Sequence, residues 1–371
     1  MSDNPVDMRG GATIGAKELL ARAAAEDACA YRGLMVAIDD FFLPEESRLD
    51  ERTRSALGVL LRTLVETVEA EVREHAARLL GARNEPDLAV RLSTGHASVF
   101  ALLTRSGLLR DAELMAELIA RVRQDLIGAA LPMTAPDDPE RPSLINRFVQ
   151  HPDRVVAAGA MALLIAESRR RGNPESGQLS QTDLPAELHH RLVWWAAAAL
   201  RENVGEDGGN LVELDRALSD AARRSLGAYD EGDRLEASAM RFAAAIDAQA
   251  RELPQLLVEA LGDRRLVLFT ALLSHALGVG YPIGRELVLD PVADRLWLSL
   301  RALEQPRDVI AQIGYALCEA DPRRDLELFA DRLDAIASIT ATEARDALGW
   351  MRLDSDYRAA LQALQRAGRA L

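Results

Sequence analysis

The chain has 371 residues, of which 49% are hydrophobic and only 4% aromatic, and it carries a formal net charge of −14. That length holds about two to three average domains or one continuous array, and the apolar fraction is ample for a core, which excludes a globally disordered chain. The dominance of Ala and Leu over β-branched and aromatic residues argues against an all-β fold. The acidic balance argues against generic binding to nucleic acid or anionic membranes.

Residues 1–12 are polar and Gly-containing and read as a frayed lead-in with no apolar run of the signal-peptide kind. Helical spacing of apolar residues predicts a first helix over Ile14–Ile38 and a break at Asp39–Pro44. A long helix follows over Glu45–Leu80, with an interruption near Leu49–Asp50 and a buried stripe through Leu57, Leu60, Leu61, Leu64 and Val68. Another amphipathic helix is expected over Arg110–Leu131. Pro132–Ser143 (PMTAPDDPERPS) then breaks the pattern with four prolines. Helix resumes over Leu144–Gln150 and Pro152–Arg171, and Gly172–Asp183 is a polar connection. Further helices are expected over Pro185–Asn203, Leu211–Leu226, Arg234–Gln249 and Leu256–Leu261. Asp290–Pro291 and Asp321–Pro322 read as capping residues followed by Pro at a first helical position, and Thr340 with Glu343 as a capping box. No apolar run reaches the ~20 residues that a membrane span requires; the longest is Val155–Ala166.

One phrase occurs twice. Pro86–Leu109 reads PDLAVRLSTGHASVFALLTRSGLL and Pro254–Val279 reads PQLLVEALGDRRLVLFTALLSHALGV; aligning Phe100 with Phe269 places Leu92 on Leu261 and Leu103 on Leu272. Repeated helix–turn–helix phrases predict an all-α, HEAT-like helical-repeat array (an α-solenoid) of stacked helix pairs with two loosely duplicated halves. Both phenylalanines are expected to be buried at equivalent places. The expected organisation is a lead-in and first helix over 1–40, a first repeat block over 41–131, the Pro-rich loop over 132–143 and a second block over 144–371, with about fifteen or more helices in all.

Organised chemistry is scarce. Lys17 is the sole lysine, which removes P-loop and Schiff-base lysines beyond that position. Cys29 and Cys318 stand alone, without metal-ligand spacing, and read as small buried hydrophobes of a reducing compartment. The six histidines form no HExxH or HxH. Glu187 and His190 have the i, i+3 spacing of a di-iron helix but lack the second copy. No catalytic residue, cofactor or metal is therefore nominated.

Two clusters have the composition of a partner surface. On the helix at Pro185–Asn203, Leu188, Leu192, Trp195 and Ala199 line a core face, while His190 and Trp194 fall four apart on another face, near Arg191 and Arg201. Arg169, Arg170 and Arg171 end the Pro152–Arg171 helix, where cations suit the dipole and would also meet a specific anion or an acidic partner.

The stretch DLPAELHHRLVWWAAAALR (Asp183–Arg201), followed by LVEALGDRRLVLFTALLSHALGV and LDPVADRLWLSLRAL, resembles the alphaproteobacterial proteins grouped as domain-of-unknown-function family 2336. LVETVEAEVREHAARLL and LTRSGLLRDAELMAELIAR earlier in the chain resemble them too, so the likeness covers most of residues 40–320. It implies an all-helical, HEAT-like fold and a bacterial cytoplasmic setting, and it carries no activity, cofactor or substrate. An Ala-Cys-Arg-Ala phrase of the family's pattern reads Leu-Ser-Leu-Arg-Ala here (Leu298–Ala302), so no role for a reactive cysteine is carried over.

The expectation is a non-catalytic, cytoplasmic helical scaffold or regulator that binds a partner protein, with homo-oligomerisation left open and no membrane contact. The alternatives are a HEAT-like binder of nucleic acid or damaged bases, which the charge opposes, and a small-molecule sensor or hydrolase with its site between the two halves.

Overall fold

A computed structural model describes residues 48–95, 97–133, 142–171, 182–205, 210–354, 356–358, 360–361 and 364. The helix expected over 14–38, Lys17 and Cys29 lie outside the described residues, as do the middles of the connections at 132–143 and 172–183. The chain divides into two compact units, 1–51 and 52–371.

The described residues of the second unit are all-α, with no strand among them. In chain order come α1 (Glu51–Ala82), α2 (Pro86–Thr94), α3 (Val99–Ser106), α4 (Ala112–Ala130), α5 (Leu144–Val149), α6 (Arg154–Arg171), α7 (Ala186–Val204) and α8 (Leu211–Ala228). They are followed by α9 (Leu235–Ile246), α10 (Leu253–Gly262), α11 (Leu266–Leu277), α12 (Tyr281–Leu289), α13 (Asp294–Ala302), α14 (Arg307–Ala320), α15 (Leu326–Ser338) and α16 (Ala341–Ala347). Most boundaries fall within a few residues of the sequence reading. The interruption expected at Leu49–Asp50 is the start of α1, whose buried stripe runs through Leu57, Leu64, Val65, Val68, Val72, Ala76 and Leu80; Leu60 and Leu61 are only half-buried.

Two expected caps differ from the structure. Asp290 closes α12, and its carboxylate accepts from the Val292 N–H and from Arg295, so α13 begins only at Asp294. Asp321 likewise turns back onto the Arg323 N–H, and α15 begins at Leu326 under the cap of Asp325. A carboxylate whose side chain closes an Asx-turn on the residue two on is no longer free to cap a helix. The Thr340–Glu343 capping box is present in full.

The core is built from small residues that let helices approach closely. α6 and α9 meet through Gly159, Ala160, Ala239 and Ala243 around the fully buried Phe242. A Cβ at Gly159 would stand 3.1 Å from the Phe242 ring. α11 and α12 meet at Gly284, where a Cβ would fall 1.8 Å from Ser274 Oγ, a hydroxyl held on the Thr270 carbonyl at 2.7 Å. α4 packs on α11, α12 and α14, which joins the part before the Pro-rich loop to the part after it.

The two copies of the repeated phrase share a burial pattern but not a connection. Leu92 and Leu261, Leu103 and Leu272, and Val99 and Leu268 are buried in both. Phe269 is fully buried, whereas Phe100 is half-buried, with the Arg62 guanidinium 4.5 Å above its ring. α10 and α11 pack on each other, whereas α2 and α3 pack on α7. The first copy turns at Gly95 with φ −55°, the second at Arg264 with φ +57°.

The connection that does recur is a turn in which a non-glycine residue adopts the left-handed conformation and the next N–H reaches five residues back. Asn84, Arg264 and Glu304 have φ of 60°, 57° and 59°. Glu85 N–H donates to Leu80 O, Arg265 N–H to Ala260 O and Gln305 N–H to Leu300 O, at 3.0, 2.8 and 3.0 Å. This is the Schellman closure, formed here without the usual glycine.

Candidate functional site

The nominated residues fall into two groups, tied to different elements. On α7, Trp194 is half-buried and its indole N–H donates to His190 Nε2 at 3.2 Å, one turn back along the same helix. Arg191 pairs with Asp111 at 3.0 Å and with Glu113, at the start of α4, and Arg201 pairs with Asp215 of α8 at 3.4 Å. Trp195 is half-buried as well, so α7 rests on neighbours from two sides, with neither indole displayed in full. Within this group each arginine faces a carboxylate and the Trp194 N–H is taken up by His190.

On α6, Arg169 is exposed and pairs with Asp233 at 2.9 Å; the Arg171 side chain lies outside the described residues. Arg170 corrects the sequence reading. Its side chain is only 7% exposed and serves as an internal cation: Nη1 lies 2.8 Å from Glu236 and 3.5 Å from Asp183, and Nη2 3.6 Å from Asp125. The helix end that places an arginine at position 170 turns it inward against the start of α9, so it cannot meet an external partner.

Around Arg170 lies a buried polar network that the sequence did not signal. Arg121 donates to the Thr182 carbonyl at 3.0 Å, Asp183 accepts from the Leu235 N–H at 3.0 Å, and Arg285 and Arg234 both reach Glu117. Burial opposes ionisation of Glu236, but Arg170 and Arg234 overcome it and hold its carboxyl below the usual range. Asp183 shifts the other way, raised by burial and by the negative charge of Glu236 against the pull of Arg170 and Arg121. Removing water from such groups is tolerable only where opposite charges and hydrogen bonds compensate.

Beside the network, His189 is 4% exposed, with Nδ1 2.9 Å from Thr182 Oγ1 and its ring stacked on Tyr229 at 4.0 Å. Burial, helped by neighbouring His190, pushes its pKa down to about 4 from 6.5. The folded state therefore keeps His189 neutral while the unfolded chain takes a proton first. The contribution of this group to stability is complete above pH 6.5 and is lost as pH drops from 6.5 to 4, by up to about 3 kcal/mol. Urea denaturation at pH 7, 6 and 5 is expected to show this slope, and His189→Phe is expected to flatten it.

The feature of α6 that the sequence reading missed is its outer face. Val155 is 68% exposed, Met161 44% and Ile165 46%, with Ala158 exposed and Ala162 half-buried between them. At 100° per residue these five side chains fall within an arc of about 120°, a continuous apolar stripe. Arg169 continues the same face as a polar end. The opposite face, with Val156, Ala160, Leu163 and Ala166, is buried in the main core. The run over 155–166 is the longest apolar run of the chain, and only the packing reveals that one side of it has no cover among the described residues.

Among the described residues no three His, Cys, Asp or Glu side chains are grouped so as to hold a metal ion. No single described helix is long and apolar enough to cross a membrane; the apolar pair α11 and α12 is bent by 118°. No family model, curated protein or solved structure matches the chain.

Proposed function

We propose that the protein is a non-catalytic, cytoplasmic helical scaffold or regulator that binds a partner protein along the outer face of α6. The observation that carries this reading is the exposed stripe of Val155, Ala158, Met161, Ala162 and Ile165. An apolar stripe on a helix that is otherwise built into a core loses water favourably when an amphipathic partner helix covers it, and Arg169 supplies the polar rim such interfaces carry. The recurrent Schellman connections after α1, α10 and α13 support a HEAT-like arrangement of helix pairs, in line with the resemblance to family 2336. Arg169, Arg191 and Arg201 each face a carboxylate of this chain, so none of the three is a free cation for phosphate.

Affinity capture from the native host tests the reading, with the wild type, Trp194→Ala and Met161→Asp/Ile165→Asp as parallel baits. One stoichiometric partner is expected with the first two baits and none with the third. A partner retained by the double variant, or captured by none of the baits, overturns the proposal.

A further inference from the structure

The apolar stripe of α6 continues onto a second helix. α9 packs along α6 in the opposite direction, and three pairs fix their register. Val156 and Ile246 line one cavity, a Cβ at Gly159 would meet the Phe242 ring, and Arg169 pairs with Asp233. Because Arg169 lies on the outer face of α6, the side of α9 that Asp233 marks adjoins that face. Ala237, Met240 and Ala244 stand on this side of α9, within an arc of about 60°. Ala244 is exposed and the other two are half-buried. Arg241, the exposed cation beside them, folds along its own helix. Its Nη2 donates to Ser238 Oγ at 3.2 Å, and its Nη1 lies 3.0 Å from where a Cβ of Gly232 would stand. The outer sides of α6 and α9 therefore form one two-helix face, apolar and rich in small side chains.

This face is complementary to itself. A two-fold axis parallel to the helices sets α6 of one copy against α9 of the other, antiparallel, as in a four-helix bundle. The register then brings Ile165 over Ala237 of the second copy, Met161 beside Met240 and Ala158 over Ala244. The bulky Ile165 meets an alanine, and the facing alanines let the backbones approach. The charged ends match as well. Arg154, at the start of α6, is exposed and has no ion-pair partner among the described residues. It comes opposite Asp247 of the second copy, a carboxylate 80% exposed beside His275 at 3.3 Å. At the other end Arg169 comes opposite the second Asp233.

α6 has 18 residues and runs for about 27 Å, and two adjacent helices are about 20 Å wide, a footprint of about 500 Å² per copy. The roughly 1,000 Å² of the pair is at the lower end for a specific contact, which fits a reversible dimer rather than a permanent one.

We propose that the occupant of the α6 face is a second copy of this chain, packed through α6 and α9 as an antiparallel four-helix bundle. This rests on the partner reading of that face and names the partner; the protein retrieved by a tagged bait is then the untagged chain.

Sedimentation equilibrium of the purified full chain between about 1 and 100 μM tests it. A reversible dimer is expected. Met161→Asp and, separately, Ala244→Asp on the other helix are each expected to leave a monomer with unchanged helical circular dichroism. Arg154→Asp is expected to weaken the dimer about tenfold at low salt, since two symmetric contacts become repulsive, and less at high salt. A wild-type chain that stays monomeric at the highest concentration overturns the proposal, as does a dimer that survives either Met161→Asp or Ala244→Asp. A monomeric chain that still captures a different protein through α6 in the host overturns this inference alone and leaves the partner reading standing.

Discussion

Arg170→Met is expected to be among the most destabilising substitutions in the chain, at about 3–5 kcal/mol, because it leaves buried carboxylates without their cation. Glu236 is 4% exposed and takes its hydrogen bond from Arg170, and Asp183 shares the same guanidinium at 3.5 Å. Methionine keeps much of the volume, so the loss is electrostatic rather than a cavity. Two readouts separate this from general loosening. Without Arg170 the folded state holds its carboxyl protons more tightly, so the deficit relative to wild type shrinks as pH falls toward the ordinary carboxylate range. Adding Glu236→Gln removes one stranded charge, and a double-mutant cycle in urea is expected to show strong coupling between the two positions. Additive losses would mean that Arg170 contributes packing alone.

Phe269→Ala is expected to cost about 3–5 kcal/mol through transfer and cavity terms. The ring is fully buried on α11, within the same core as Leu257, Leu261 and Leu272. Phe100→Ala, at the aligned position of the other copy, is expected to cost only about 1–2 kcal/mol, from partial burial and the Arg62 contact. Chemical denaturation of the two variants side by side measures the difference. Equal losses would mean that the two copies contribute alike despite their different neighbours.

The contrast marks what the sequence could and could not convey. Helix positions were legible because Leu and Ala recur at helical spacing between Pro- and Gly-rich breaks, and the Thr340–Glu343 box because both partners lie within one turn. Asp290 and Asp321 misled because an Asp–Pro pair fits two local structures, and the arginines that favour the Asx-turn here, Arg295 and Arg323, act through side chains. The recurrent left-handed turns passed unnoticed because Asn84, Arg264 and Glu304 occupy positions where glycine would have been the signal. The network around Arg170 draws its partners from α4, α9 and the approach to α7, so no local spacing announces it. The run at Val155–Ala166 has a composition that reads as interior, and periodicity alone does not reveal that one of its sides lacks cover.

Site-specific photo-crosslinking in the living host reports whether a partner sits on the outer face of α6. A photoreactive residue at Met161 or Ile165 is expected to give one discrete heavier species, and the same residue at exposed Val212 on α8 none. No crosslinked species from either α6 position, or the same species from Val212, would contradict a partner seated along this helix.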